Sequence, residues 1–365
     1  MNFAYVRLLL ATAFLILCLA GLLNYVVDPS RIYQKGEIDP QAYADALIKS
    51  PHGLWAPPDT FDERLIKKAL AEYSGQFDAV IIGSSHCMSV SSVRKPRTLA
   101  GICDSLLNLG ISGASIEDHL TMAFLSVKNR QPKKLFFSID PWTFAYGKDT
   151  RWSAYRKDYY KARATIFEAN NRNTPENEMA DSAKLVNLLN LEYTVRSARI
   201  LFLGTRPSSQ SIKLAPRFDY SIGGKFPVYL NDGSYVYSSK YIADCELTPI
   251  PVGGLTYKTD SPCNTKDGID AYRSLLLWIK HKGVEPILLM TPYHENVWKA
   301  PLSLDSVAMR STEIIVLNFA RELNLRVVGS FDPAVAGCQP SDFYDCMHTK
   351  PEGLAKLKIR TIATQ

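Results

Sequence analysis

The chain has 365 residues, 46% of them apolar and 21% charged, with 42 Lys and Arg against 36 Asp and Glu. It is long enough to bury a substantial core and too apolar for a disordered chain. The net charge of +6 is spread without a dense Lys/Arg block, which is not the footprint of a nucleic-acid binder, so no nucleic-acid partner is expected.

The largest shift in composition comes first. Leu8 to Val27 (LLLATAFLILCLAGLLNYVV) runs without a charge, long enough to cross a bilayer as a helix, with Arg7 before it and Asp28-Pro29 ending it. A cleaved signal peptide is the rival reading, but the run is longer than a usual signal core and no small-x-small cleavage site follows it, so a retained anchor is preferred. A short basic head before a long polar body predicts the N-terminus on the cytoplasmic side and residues from 28 onward outside, although Arg31 and Lys35 on the far side weigh against a strong bias.

Residues 28–60 carry Pro29, Pro40, Pro51, Pro57 and Pro58 and are expected to form an extended connector or packing arm, with one short helix near Ala42–Lys49. A domain over 61–365 then begins with a helix at Phe61–Tyr73 and a buried strand at Phe77–Ile82 (FDAVII) running into Gly83. Leu106–Leu109 and Lys134–Ile139 (KLFFSI) repeat the strand pattern, with a helix at Ser115–Lys128 between them. Residues 145–265 break the rhythm and are expected to form an insertion or lid, with a helix at Asp181–Leu203 and a Gly-rich stretch at Ser221–Gly233. The rhythm returns with helices at Gly268–Lys282 and Leu304–Leu323, strands at Glu285–Met290 and Leu325–Val328, and a last helix from about Pro351. Apolar strands alternating with helices predict an α/β fold with a parallel sheet.

Cys18 lies in the apolar run, and six cysteines remain in the body. An even number in an exported domain suggests disulfides, and the short spacings suggest Cys87–Cys103, Cys245–Cys263 and Cys338–Cys346 among fifteen pairings; buried thiols acting as small hydrophobes are the alternative. No Cys/His cluster has zinc spacing, and neither GxGxxG nor GxxxxGK[ST] follows the first strand, so neither a metal nor another cofactor is expected.

Reactive groups in open α/β sheets gather at the carboxyl ends of the strands. Gly83-Ser84-Ser85-His86 follows the first strand, Asn108-Leu109-Gly110-Ile111-Ser112-Gly113 the second, and Ser138-Ile139-Asp140-Pro141-Trp142 the third; Asp345-Cys346-Met347-His348 stands near the end. A serine on a sharp strand-to-helix turn exposes its hydroxyl and has backbone N–H groups beside it. An Asp three residues before a His can hold Nδ1 while Nε2 faces the serine.

In that order, GSS, NLGISGAS, SIDPW and DxxH resemble the four blocks of the SGNH/GDSL hydrolase superfamily. The resemblance is greatest to its membrane-anchored, extracytoplasmic members related to the D-alanyl transfer protein of teichoic acids and to alginate O-acetyltransferases. It implies a three-layer α/β/α, flavodoxin-like sheet and serine-dependent acyl-ester chemistry, as O-acyltransferase or esterase. The setting it implies is a bacterial inner membrane with a periplasmic domain acting on a cell-envelope polysaccharide. A glycan acceptor and an acyl donor, such as a membrane acyltransferase supplies, are the partners. Position by position, it makes Ser85 the nucleophile, His348 the general base, Asp345 its orienter, and Ser85 and Gly113 oxyanion donors through their backbone N–H. The third block normally presents an Asn to the oxyanion; the matching residue is Asp140, whose carboxylate would repel it. Asp140 therefore helps otherwise, is protonated, or leaves the oxyanion to Ser85 and Gly113. A non-catalytic glycan-binding or scaffold protein on the same fold is the alternative that this departure favours.

His86 could serve as a second base or line an acyl pocket, against the plainer reading of a surface residue at the start of a helix. Tyr293 and His294, after the EPILLM strand, could contact substrate or merely shape a loop. His119 reads as structural. Trp142, Phe144, Tyr146 and Trp152 with Arg151 and Arg156 could form a sugar-stacking wall or a packed lid.

Overall fold

The computed structural model describes residues 3–28, 39–56, 63–73, 75–147, 149, 151–167, 188–203, 224–250, 263–300 and 304–361. They fall into two units. The smaller comprises residues 1–39, 57–62 and 173–211, and the larger 40–56, 63–172 and 212–365.

In the smaller unit, α1 (Phe3–Val27) is a helix of 25 residues whose one charge is Arg7, long and apolar enough to span a membrane. Its partner among the described residues is α6 (Leu191–Leu203), the described part of the helix expected at 181–203. Of the rest of that span, residues 181–187 lie outside the described residues, and the expected helix is interrupted by a turn at Leu189–Asn190.

The larger unit is built on a parallel sheet of five strands. β2 (Ala79–Ile82), β3 (Leu106–Asn108), β4 (Lys134–Ser138), β7 (Glu285–Met290) and β8 (Arg326–Gly329) lie in the order β3-β2-β4-β7-β8. Counted along the chain this is the 2-1-3-4-5 arrangement of flavodoxin-like sheets, with the reversal beside β2. The apolar runs have this form because both faces are covered. On one face, helices α4 (Ile116–Asn129), α8 (Lys266–His281) and α10 (Leu304–Leu323) follow the strands, and Tyr272 of α8 packs edge-on to Phe137 of β4 and stacks with Phe319 of α10. On the other, Ile81, Phe136, Ile287 and Val328 pack against Cys87, Val90, Leu99, Ala336, Phe343 and Leu354. The last helix expected from about Pro351 is a single turn, α12 (Pro351–Leu354), and α11 (Pro333–Ala336) is equally short, so this layer is made of turns rather than long helices.

Of the connector expected over 28–60, residues 40–56 belong to the larger unit. α2 (Pro40–Lys49) buries Tyr43, Ala44 and Leu47, and β1 (Leu54–Trp55) is the edge strand of a second, antiparallel sheet with β5 (Val228–Tyr229) and β6 (Tyr235–Val236). Pro40 opens α2 and Pro51 lies in the turn just after it, where a missing N–H costs little. The hairpin β5–β6 comes from the region read as an insertion, and its turn lies on the end of β3. Asp232 O accepts from Asn108 N at 2.7 Å, and a Cβ on Gly233, whose φ is +76°, would meet Asn108 O at 2.4 Å. α5 (Arg156–Phe167) and α7 (Ser239–Leu247) complete the described part of that region.

No cysteine pair among the described residues is at disulfide distance, which corrects Cys87–Cys103, Cys245–Cys263 and Cys338–Cys346. Cys87, Cys103 and Cys338 instead sit in the apolar cluster under the sheet as small hydrophobes. Burial pushes the Cys103 and Cys338 thiols up to about 11 and the Cys87 thiol higher, so all three stay protonated.

Candidate active site

Ser85 begins the 3-10 turn Ser85–Cys87, directly after β2. Ser84 caps that turn, its side chain accepting from His86 N at 3.2 Å. Asn108 at the end of β3 fixes the neighbouring loops. Its amide donates to Cys87 O and Val90 O at 2.8 Å each, and its Oδ1 accepts from Gly110 N at 2.8 Å. Ile111 N donates to Gly83 O at 2.9 Å, so the loop carrying Gly113 runs along the turn that carries Ser85. Gly113 has φ +58°, and its carbonyl accepts from the Arg151 guanidinium at 2.8 Å.

Asp345-x-x-His348 forms a turn for the reason its spacing suggests. Asp345 Oδ1 accepts from the backbone N–H of Met347 and of His348, each at 2.8 Å, which leaves Oδ2 for His348 Nδ1, also at 2.8 Å. The other ring nitrogen, Nε2, lies 2.9 Å from Ser85 Oγ. Residues 263 positions apart are thus within hydrogen-bond reach in one line from carboxylate to hydroxyl. Ser85 and His348 are half-buried, accessible from outside but partly shielded from water. Burial alone would raise the Asp345 carboxyl; the His348 ring and the two backbone donors outweigh it and hold the group well below the usual carboxylate range.

Sequence reasoning missed Tyr241, on α7. Its hydroxyl donates to Asp345 Oδ2 at 2.8 Å and lies 3.3 Å from His348 Nδ1, giving the carboxylate a further donor. Burial, and then the Asp345 charge, push the phenol upward, so it remains a donor. Tyr237 stacks on Tyr241 with ring centroids 4.5 Å apart. No position at a strand end marks Tyr241; the only signal is a tyrosine-rich stretch from 235 to 241.

His86 is a correction. It is not a surface residue: its side chain and that of Asp140 are both fully buried, with Nδ1 2.7 Å from Asp140 Oδ1. The contact is out of line for a hydrogen bond, and among the described residues neither Asp140 oxygen nor His86 Nε2 has a hydrogen-bond partner. The Tyr293 hydroxyl lies 3.4 Å from the same Nδ1, and the His86 ring meets those of Trp142, Tyr293 and His348 edge-on, with centroids 5.5, 5.1 and 5.2 Å away. Asp140 therefore faces an imidazole.

The remaining candidates make contacts within the fold. His294 caps the short helix α9 (Glu295–Trp298), its Nδ1 accepting from Asn296 N, and its ring packs on Phe343. His119 meets the Tyr272 hydroxyl at 2.8 Å, and burial drives its imidazole down to about 4. Of the aromatic wall, Phe144 is in the core between Tyr272 and Phe319, Trp152 packs on Tyr159, and Trp142 Nε1 donates to Ala114 O. Arg151 pairs with Asp149.

Neither a protein-family model nor a characterised protein sequence matches the chain, so the chemistry is argued from the site itself.

Proposed function

We propose that this protein carries out serine-dependent acyl-ester chemistry of the SGNH type, as an O-acyltransferase or esterase on a cell-envelope polysaccharide, from a body held outside the membrane by α1. One observation carries the reading. The hydroxyl, imidazole and carboxylate of Ser85, His348 and Asp345 form a continuous chain with contacts of 2.9 and 2.8 Å, and a fourth group, Tyr241, meets it where His348 Nδ1 and Asp345 Oδ2 join.

In this reading Ser85 Oγ attacks the acyl carbonyl while its proton passes to His348 Nε2, and the imidazolium is stabilised by Asp345. The ester C–O bond breaks as His348 returns that proton to the leaving oxygen, which leaves an acyl-serine. An acceptor hydroxyl, from a sugar or from water, then loses its proton to His348 and takes the acyl group, and Ser85 recovers its proton. The backbone N–H groups of Ser85 and Gly113 are the proposed oxyanion donors. Asp140 is not used as an oxyanion donor: a carboxylate has no hydrogen to donate, and this one lies against the His86 ring.

The test is labelling of the full-length protein, in detergent, with a fluorophosphonate probe. Wild type is expected to label, and Ser85→Ala and His348→Ala to lose the label. A folded wild type that does not label would overturn the reading in favour of a non-catalytic glycan-binding or scaffold protein.

A further inference from the structure

The end of α1 differs from the rest of it. Leu8 through Leu19 are all exposed, as suits a helix in hydrocarbon, whereas Asn24, Val27 and Asp28 are buried. What buries them is the start of α6. Asn24 Nδ2 donates to Leu188 O at 2.7 Å and to Thr194 Oγ1 at 2.8 Å, Ser197 Oγ donates to Asn24 Oδ1 at 2.8 Å, and Tyr193 donates to Asp28 Oδ1 at 2.6 Å. A helix of 13 residues is about 20 Å long and, laid alongside α1, would cover about as many of its residues. Coverage instead stops at Ala20, so α6 meets only the last two turns. Those turns carry the first polar residues after the apolar run, which sets them at the boundary between hydrocarbon and headgroups if α1 spans a bilayer.

At about 100° per residue, Tyr193 and Ser197 define the side of α6 turned to α1, and Leu191, Val195 and Phe202 fall within about 40° of one another on the opposite side. These three are 78%, 57% and 81% exposed. Arg199, exposed at the rim of this stripe, has the reach to place its charge among headgroup phosphates.

We infer that α6 is a membrane-interface helix, with Leu191, Val195 and Phe202 inserted among the acyl chains of the leaflet at the C-terminal end of α1. The occupant follows from depth. An apolar stripe carried on a helix tied to the last turns of a membrane span meets lipid there, and it continues the lipid-facing surface of α1. Such a second contact would fix the rotation and height of the smaller unit, which a single helix leaves free. The inference rests on α1 spanning the bilayer.

The experiment places the photoreactive residue p-benzoylphenylalanine at Phe202, or at Phe14 in α1, in the full chain reconstituted into phosphatidylcholine–phosphatidylglycerol vesicles with a radiolabelled lipid. Irradiation is expected to give a lipid adduct at both positions, with at least a third of the Phe14 yield at Phe202. An adduct at Phe14 with none at Phe202, or one from Phe202 to a second copy of the chain, overturns the interfacial helix alone. No lipid adduct at either position overturns the anchor as well.

Discussion

The buried pair of His86 and Asp140 makes the most demanding prediction. Both side chains are fully buried, and no donor among the described residues makes a well-formed hydrogen bond to the Asp140 carboxylate, so the imidazole is its one close compensation. Removing one partner of a buried ion pair leaves an uncompensated charge and typically costs about 3–5 kcal/mol. With Asp140 ionised, His86→Ala should lower the stability of the larger unit by about that amount, together with the loss of ring packing. Asp140→Asn, which keeps the shape and removes the charge, should cost about 1–3 kcal/mol, the order of a buried polar group left without a partner. In the double variant the charge is gone as well as its partner, so its stability should lie above that of His86→Ala despite carrying one more substitution. The assay is urea denaturation of the full chain in detergent followed by tryptophan fluorescence, with Trp142 beside the pair as a reporter, and midpoints compared at equal slope. If the double variant is as unstable as His86→Ala, the carboxyl is held neutral and the imidazole is only packing.

Tyr241→Phe removes one donor from the Asp345 carboxylate and nothing from Ser85, so fluorophosphonate labelling is expected to slow about tenfold, the worth of roughly 1.4 kcal/mol, without being abolished. An unchanged rate at every pH from 5 to 9 would remove Tyr241 from the relay. Glu117 gives a pH dependence: burial pushes its carboxyl up to about 7, so the native state keeps a proton that the unfolded chain releases near 4.5. Stability from this group is present at low pH and is lost as pH rises from about 4.5 through 7. Glu117→Gln, which keeps an acceptor for Gly147 N, should remove that slope and be more stable than wild type at pH 8 by up to about 3 kcal/mol. Urea midpoints measured against pH on both chains isolate the group from His119, whose lowered value pulls the opposite way; parallel curves would refute the assignment.

Much of the larger unit could be read in advance because its strands are short apolar runs buried on both faces, a pattern that needs no partner to be recognised. The turn residues were legible for a similar reason. Gly-Ser-Ser after a strand and Asp-x-x-His each fold by local hydrogen bonds, Ser84 to His86 N and Asp345 to two following N–H groups. What failed depends on distant neighbours. Cysteine spacing says nothing about whether Cys87 and Cys103 turn their sulfurs into one core or toward each other. Tyr241 reaches Asp345 across more than a hundred residues, and His86 is buried only because Asp140, Trp142 and Tyr293 close over it.

The two histidines share a cause in the backbone. A Cβ on Gly83 would lie 2.4 Å from the Ser138 Cβ, so only glycine lets the end of β2 come this close to the end of β4, its parallel neighbour. That approach sets the turn after β2 directly against the Asp140 loop after β4, and consecutive residues of the turn then take opposite partners. Ser85 faces His348, and His86 faces Asp140. With the two imidazoles 5.2 Å apart and edge-on, a charge on one is felt by the other in a partly dry site. The Asp that stands where the resemblance implies Asn thus lies against the His beside the serine: His86 has Asp140 as its carboxylate neighbour, while His348 lies between Ser85 and Asp345.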